Sequence, residues 1–275
     1  MPGSVTSVFG QPDDFRAALR ADGILSFVVT GLGQFRARLM QVTLHDLRLS
    51  AGDEHLSRIA FVAVPANMLL VLLSIGDRPA PIWGGVEMRA GELITLGPGE
   101  RVHARTDGPC RWGAIHLRRE DFVVYGRVLS GGEFVVPPAA RWRPPRAALR
   151  RLRHLHQAAV RRVEAWSGVL ADRQAAHGLE QQVIHALVDC LSGPIDQEMK
   201  AGCRHRGILA RFEDLLETGS SRGIADICTT LGVSDRLLRD CCNEHLGMGP
   251  GGYRRLRRIQ LAHRALWMHP PRAPA

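Results

Sequence analysis

The stretch from Ile224 to Cys242, IADICTTLGVSDRLLRDCC, constrains the fold more than any other part of the chain. It reads as two short helices joined by a tight turn. Small Cys228 lets the helices cross closely, and Leu238 lies ten residues on. Gly232, four residues after Cys228, supplies the left-handed backbone that a three- or four-residue turn needs. Ser234 is expected to cap the second helix by accepting from its free N–H groups. Asp235 places a negative charge in the first turn, where the helix dipole favours it. Leu237, Leu238, Cys241 and Cys242 can point inward, which leaves Arg236, Arg239, Asp240 and Asn243 on the open face. An apolar anchor side beside a polar open side is how a helix that reads base edges is built.

The residues that follow extend the pattern. Leu246-Gly247-Met248-Gly249-Pro250 ends the second helix, and Tyr253 to Leu266 (YRRLRRIQLAHRAL) runs as one basic amphipathic helix. In this order and spacing the stretch resembles the AraC/XylS family of transcription regulators, closely over Ile208 to Leu266 and more loosely upstream. One departure is Cys242, where that family commonly has an aromatic residue. The resemblance implies that base edges meet Arg236, Arg239 and Asp240, next to the Ser234 cap and Asn243. Phosphates are expected at Arg254, Arg255, Arg257 and Arg258. The resemblance also implies a second helix-turn-helix after a linker helix. Tyr253 to Trp267 fits that linker, but consecutive Pro270 and Pro271 then follow and cannot continue it. Two readings stand open: a truncated regulator, or a variant with a single motif.

Charge agrees with an anionic partner. The 275 residues carry a net charge of +9, and double-stranded DNA is the first candidate. Residues 201–275 hold 12 arginines against 7 carboxylates. Only Lys200 is lysine, so arginine usage partly reflects composition. The six cysteines, at 110, 190, 203, 228, 241 and 242, form no C-x-x-C pair, and no His/Cys cluster has zinc-finger spacing. Cys190, Cys228 and one of Cys241 and Cys242 are expected as small core residues. The N-terminus lacks the basic and apolar regions of a signal peptide. The apolar run Ala66 to Ile75 is far too short to span a bilayer. A cytoplasmic protein with no membrane partner is expected.

The fold class expected is α+β. Residues 1–140 are read as a cupin-like sensor β-barrel, 141–200 as a helical connector and dimerisation element, and 201–275 as a partial DNA-binding domain. From about Phe27 to Val136 short strands alternate with turn signals: Phe35–Leu39, Val42–Leu49, Ile59–Val64 and Leu69–Ile75. The segment Gly91 to His103 looks like part of a cupin barrel. Enzymatic cupins bind a metal through clustered histidines and a glutamate. Here His103 is expected in a turn and His116 alone on a strand, so no metal and no cofactor are expected. Leu149, Leu152, Leu155, His156, Ala159 and Val163 predict one connector helix, and Leu179 to Leu191 a second. These helices either dimerise or pack on the barrel. The arginines at 141, 143, 146, 150, 151 and 153 are expected on a solvated face, residues 193–207 form a linker, and Ile208–Leu216 is a helix behind the reading pair.

No nucleophile elbow, phosphate loop, dinucleotide fingerprint or H-E-x-x-H occurs. The function expected is a non-enzymatic, sequence-specific regulator, an activator by family resemblance. Its partners are a promoter or operator duplex, a small-molecule effector in the barrel, a second copy of itself and RNA polymerase. Two rival functions remain: a metal-dependent cupin enzyme, and a non-binding chain that pairs with full-length regulators.

Overall fold

The computed structural model describes residues 2–75, 79, 81–161, 173–192, 195–196, 203–218 and 223–268. Its elements follow in chain order. The first are β1 (Gly3–Phe9), α1 (Pro12–Ala18), β2 (Ile24–Val29), β3 (Ala37–Thr43), β4 (Leu47–Glu54), β5 (Arg58–Ala63) and β6 (Met68–Ser74). Next come β7 (Ile82–Trp83), β8 (Val86–Glu87), β9 (Leu93–Leu96), β10 (Arg101–Thr106), β11 (Cys110–Arg118), α2 (Arg119–Ser130) and β12 (Ala139–Trp142). The rest are α3 (Arg146–Arg161), α4 (Arg173–Leu191), β13 (Ile195–Asp196), α5 (Cys203–Glu217), α6 (Ile224–Leu231), α7 (Asp235–Leu246) and α8 (Pro250–Met268).

Strand β6, MLLVLLS, is apolar without alternation because both of its faces are covered. Leu69, Val71 and Leu73 pack with α2, α3 and α4, whereas Leu70 and Leu72 pack toward a second sheet. A strand that alternates sides every residue and is buried on both reads as a continuous hydrophobic run. It lies near the middle of an eight-stranded sheet of order β1-β3-β4-β11-β6-β9-β12-β13. The second sheet has five strands, in the order β2-β5-β10-β7-β8. All of the strand pairs are antiparallel. Phe27, Val62, Ala104 and Trp83 of the smaller sheet meet Leu39, Leu72, Ile94 and Trp112 of the larger. Ile59, on the opposite face of β5, packs with the C-terminal helices instead. The layers are therefore helices, large sheet, small sheet and helices.

Several expectations shift in detail. Val42–Leu49 is not one strand: β3 and β4 form a hairpin whose turn Leu44 closes by donating to the Leu47 carbonyl (2.8 Å). Helix α2 lies in the region read as strands, burying Phe122 and Gly126 four residues apart on one side. Helices α3 and α4 pack on the outer face of the large sheet through Leu149, Leu152, Val183 and Leu187. Arg141 leaves the expected solvated face: it is buried beside Glu92 (3.8 Å). The helix expected from Ile208 begins at Cys203, and β13 falls inside the expected linker. Among the described residues no helix is long and apolar enough to cross a membrane.

Two histidines sit in the interior of the sheets. The His156 Nε2 lies 3.1 Å from the Ser50 carbonyl, and His116 stands 3.8 Å from Asp22. Desolvation pushes each imidazole down to about 4. His116 is a strand residue as expected, with Asp22 and Arg48 near it as charged neighbours.

Candidate nucleic-acid interface

Helices α6 and α7 form the expected helix-turn-helix. Gly232 ends α6 with φ 66°, and its N–H and that of Val233 close the last turn onto Thr229 and Cys228. Only the backbone demands glycine here, since a Cβ at Gly232 would meet nothing within 4 Å. Gly232→Val should thus cost about 1–2 kcal/mol, the strain of a β-branched residue in left-handed backbone. Chemical denaturation of the full chain measures this, and an unchanged midpoint would contradict the turn geometry.

Ser234 caps α7, its Oγ accepting from the Leu237 N–H at 3.2 Å. Leu238, Cys241, Cys242, His245 and Leu246 are buried, and Leu237 is half-buried. Leu238, Cys241, Cys242 and Leu246, with Leu237 against them, meet Leu209, Phe212, Ile227, Leu231 and Tyr253 in one core. Burial pushes the Cys241 thiol up to about 11, so it stays protonated and packs as a small apolar group. On the other side of α7 the Arg236 side chain is 92% exposed, and Arg239 and Asp240 are each 60% exposed. Asn243 shares this open side. Arg239 pairs with Asp235 (2.7 Å) and Arg236 lies 4.0 Å from Asp240. Exposed pairs of this kind contribute well under about 1 kcal/mol each and yield readily to a stronger anion.

Gly247, with φ 71°, ends α7, and Pro250 starts α8, a position where proline loses no helical hydrogen bond. Arg254, Arg255 and Arg258 line an open groove of about 610 Å³ along α8, together with Gly251, Ile259 and Ala262. Arg257, expected beside them as a phosphate contact, is not there. It turns inward and is only 3% exposed. Its Nε donates to Glu213 (3.1 Å), its Nη2 to Glu217 (2.7 Å) and its Nη1 to Gln260 (2.6 Å). The helical period explains this: Arg257 follows buried Tyr253 by four residues, on the same face.

Glu213 organises this interior. It also accepts from the Tyr253 hydroxyl and lies 2.9 Å from His103 Nε2. His103 is a residue of β10, not of a turn, and it projects from the small sheet into the helices. Burial alone would raise the Glu213 carboxyl, but His103, Arg257 and Tyr253 outweigh it and hold it below the ordinary carboxylate range. Arg101 adds an ion pair to Asp214 (2.8 Å), and Gln260 donates to the Phe27 carbonyl (2.6 Å). The C-terminal helices are thus fastened to the small sheet by polar groups that spacing alone did not reveal. One signal was available: Glu213 lies on the apolar stripe Leu209, Phe212 and Leu216 of α5, where a lone charge calls for a partner.

Between the two sheets, among Ile24, Ala60, Leu72 and Trp112, lies a small cavity of about 30 Å³, room for about one water. A larger cavity of about 180 Å³ lies at the seam between the small sheet and the C-terminal helices. Arg16, Arg101, Arg257, Arg264, Glu213 and Glu217 are among its lining residues.

The described residues thus form a two-sheet domain with a helix-turn-helix seated on its smaller sheet. The chain is similar in structure to the AraC-like transcriptional activator CuxR, with a TM-score of 0.50 over 94% of this chain and 95% of that one, at 14% identity. This likeness establishes the fold. Weaker similarity extends to an apo variant of ToxT from Vibrio cholerae strain SCE256, with a TM-score of 0.32 over 86% of this chain and 84% of that one at 10% identity. Wild-type ToxT with unsaturated fatty acid bound gives 0.33 over 82% and 83% at 11% identity. No family model and no curated protein matches the sequence.

Proposed function

We propose that the chain is a sequence-specific DNA-binding transcription regulator. Residues 201–275 read DNA, 141–200 connect and dimerise, and 1–140 sense an effector. The observation that carries this reading is the open side of α7, where Arg236, Arg239, Asp240 and Asn243 face solvent beside a capped N-terminus. A helix docked in the major groove presents its N-terminal residues to the base edges, and the arginine fork matches O6 and N7 of guanine. Arg254, Arg255 and Arg258 stand one helix away, where phosphates would lie. Arg257 serves the interior and makes no phosphate contact.

The described residues carry one helix-turn-helix, so each subunit neutralises few phosphates. Affinity should fall by about 3–4 log units per log unit of salt for a monomer, and about twice that for a dimer. Arg254→Ala, Arg255→Ala and Arg258→Ala should each lower that slope by about 1 and weaken all duplexes alike. Fluorescence anisotropy of the full chain at several salt concentrations measures this. Slopes that none of the three variants changes would remove the groove on α8 from the interface. The seam cavity offers space for a small effector, and an occupant there would touch the groups that fasten the reader to the sensor.

A further inference from the structure

Three side chains far apart in sequence meet at the C-terminal end of α7. His205 stands on the first turn of α5, while Glu244 and His245 lie in the last turn of α7. One potential ligand atom from each lies within 4.8 Å of the other two. The Glu244 carboxylate bridges the histidines: one oxygen is 2.6 Å from His205 Nδ1, and the other is 3.7 Å from His245 Nε2.

His245 supplies an independent sign of a ligand. It is wholly buried, and neither ring nitrogen has a hydrogen-bond partner. A buried imidazole without a partner loses its hydration with nothing in return, and native proteins rarely leave one so. Its Nε2 is oriented toward the Glu244 carboxylate. Arg206, one of the cations that act on His245, reaches toward Glu100 at 3.6 Å. The β7–β8 turn lies against the cluster, close enough that a Cβ on Gly85 would come 3.1 Å from Glu244 Cγ.

From this arrangement we propose that His205, Glu244 and His245 bind a divalent cation of the zinc class. Two imidazoles and a carboxylate form a recurrent zinc donor set that leaves a fourth position for water. Tetrahedral bonds of about 2.1 Å place ligand atoms about 3.4 Å apart, so the cluster must contract slightly. The side chains that must move can do so: His205 is 30% and Glu244 45% exposed. The bound ion ties the end of α7 to α5, beside the turn of the small sheet, and so couples the open side of α7 to cation supply. The binding site itself does not depend on the DNA-reading assignment.

The test uses the full chain stripped with chelator and titrated with Co²⁺ followed by visible absorption, then with Zn²⁺ followed by thermal melting. The expected result is one equivalent of Co²⁺ with the d–d bands of a low-coordinate site, displaced by Zn²⁺, which raises the melting temperature. His205→Ala and Glu244→Gln should each weaken binding by more than about tenfold. The apo forms of both should melt like the apo parent, because both side chains are partly exposed. Three results would overturn the proposal: no Co²⁺ bound, binding that either variant leaves unchanged, or a thiolate charge-transfer band placing the ion on cysteine.

Discussion

Glu213→Ala should lower the stability of the full chain by about 3–5 kcal/mol, the range for removing one partner of a buried ion pair. The substitution strands the Arg257 guanidinium, which is nearly excluded from water and keeps Glu217 (2.7 Å) as its charged partner and Gln260 (2.6 Å) as a neutral one. It also removes the acceptor of the Tyr253 hydroxyl and the partner of His103. Each orphaned group loses its hydration without replacement. Glu213→Gln keeps the volume and one acceptor oxygen but loses the charge, so it should cost less. Denaturant unfolding distinguishes the two variants. A loss below about 1 kcal/mol for the alanine variant would mean that Glu213 does not fasten the helices, and would return Arg257 to the list of DNA contacts.

Acidification should produce the second large effect. His116 and His156 are neutral in the folded chain, with pKa values near 4, whereas an unfolded histidine titrates near 6.5. Between those values the unfolded chain binds protons that the folded chain does not. Stability is therefore full above about pH 6.5 and declines as pH falls toward 4. By pH 5 the loss should be about 2 kcal/mol per histidine. Glu213 acts in the same direction, because its folded pKa is lowered: its contribution is present above the ordinary carboxylate pKa and is lost in acid. His156→Leu should remove about 2 kcal/mol of the decline between pH 7 and pH 5. Denaturant midpoints across that range give the result, and a flat profile for the parent would show that the buried histidines are protonated without penalty.

The parts of the fold visible in the sequence were those governed by local rules. Gly232, Ser234 and the apolar spacing around them place α6, the turn and α7, because turn and cap chemistry act within a few residues. The double burial of β6 was legible as an unbroken apolar run. Partnerships between distant elements were not. His103 was expected in a turn because it lacks an H-x-H partner, and its true partner, Glu213, lies 110 residues away. Arg257 resembled its basic neighbours because composition does not show which face of a helix is buried. The period from Tyr253 does show it, once Tyr253 is known to be core. The pairing of His205 with Glu244 and His245 has no spacing signature, since it depends on how α5 and α7 cross.

Reading of bases by α7 is tested most directly on a duplex enriched from a random pool by the full chain, with each base pair changed in turn. The parent should lose about 1–3 kcal/mol at each base pair that α7 reads. Arg236→Ala and Arg239→Ala should each abolish discrimination at one base pair and leave the others unchanged, while melting like the parent. Enrichment of no sequence, or variants that discriminate every base pair as the parent does, would contradict the assignment of α7 as the reading helix.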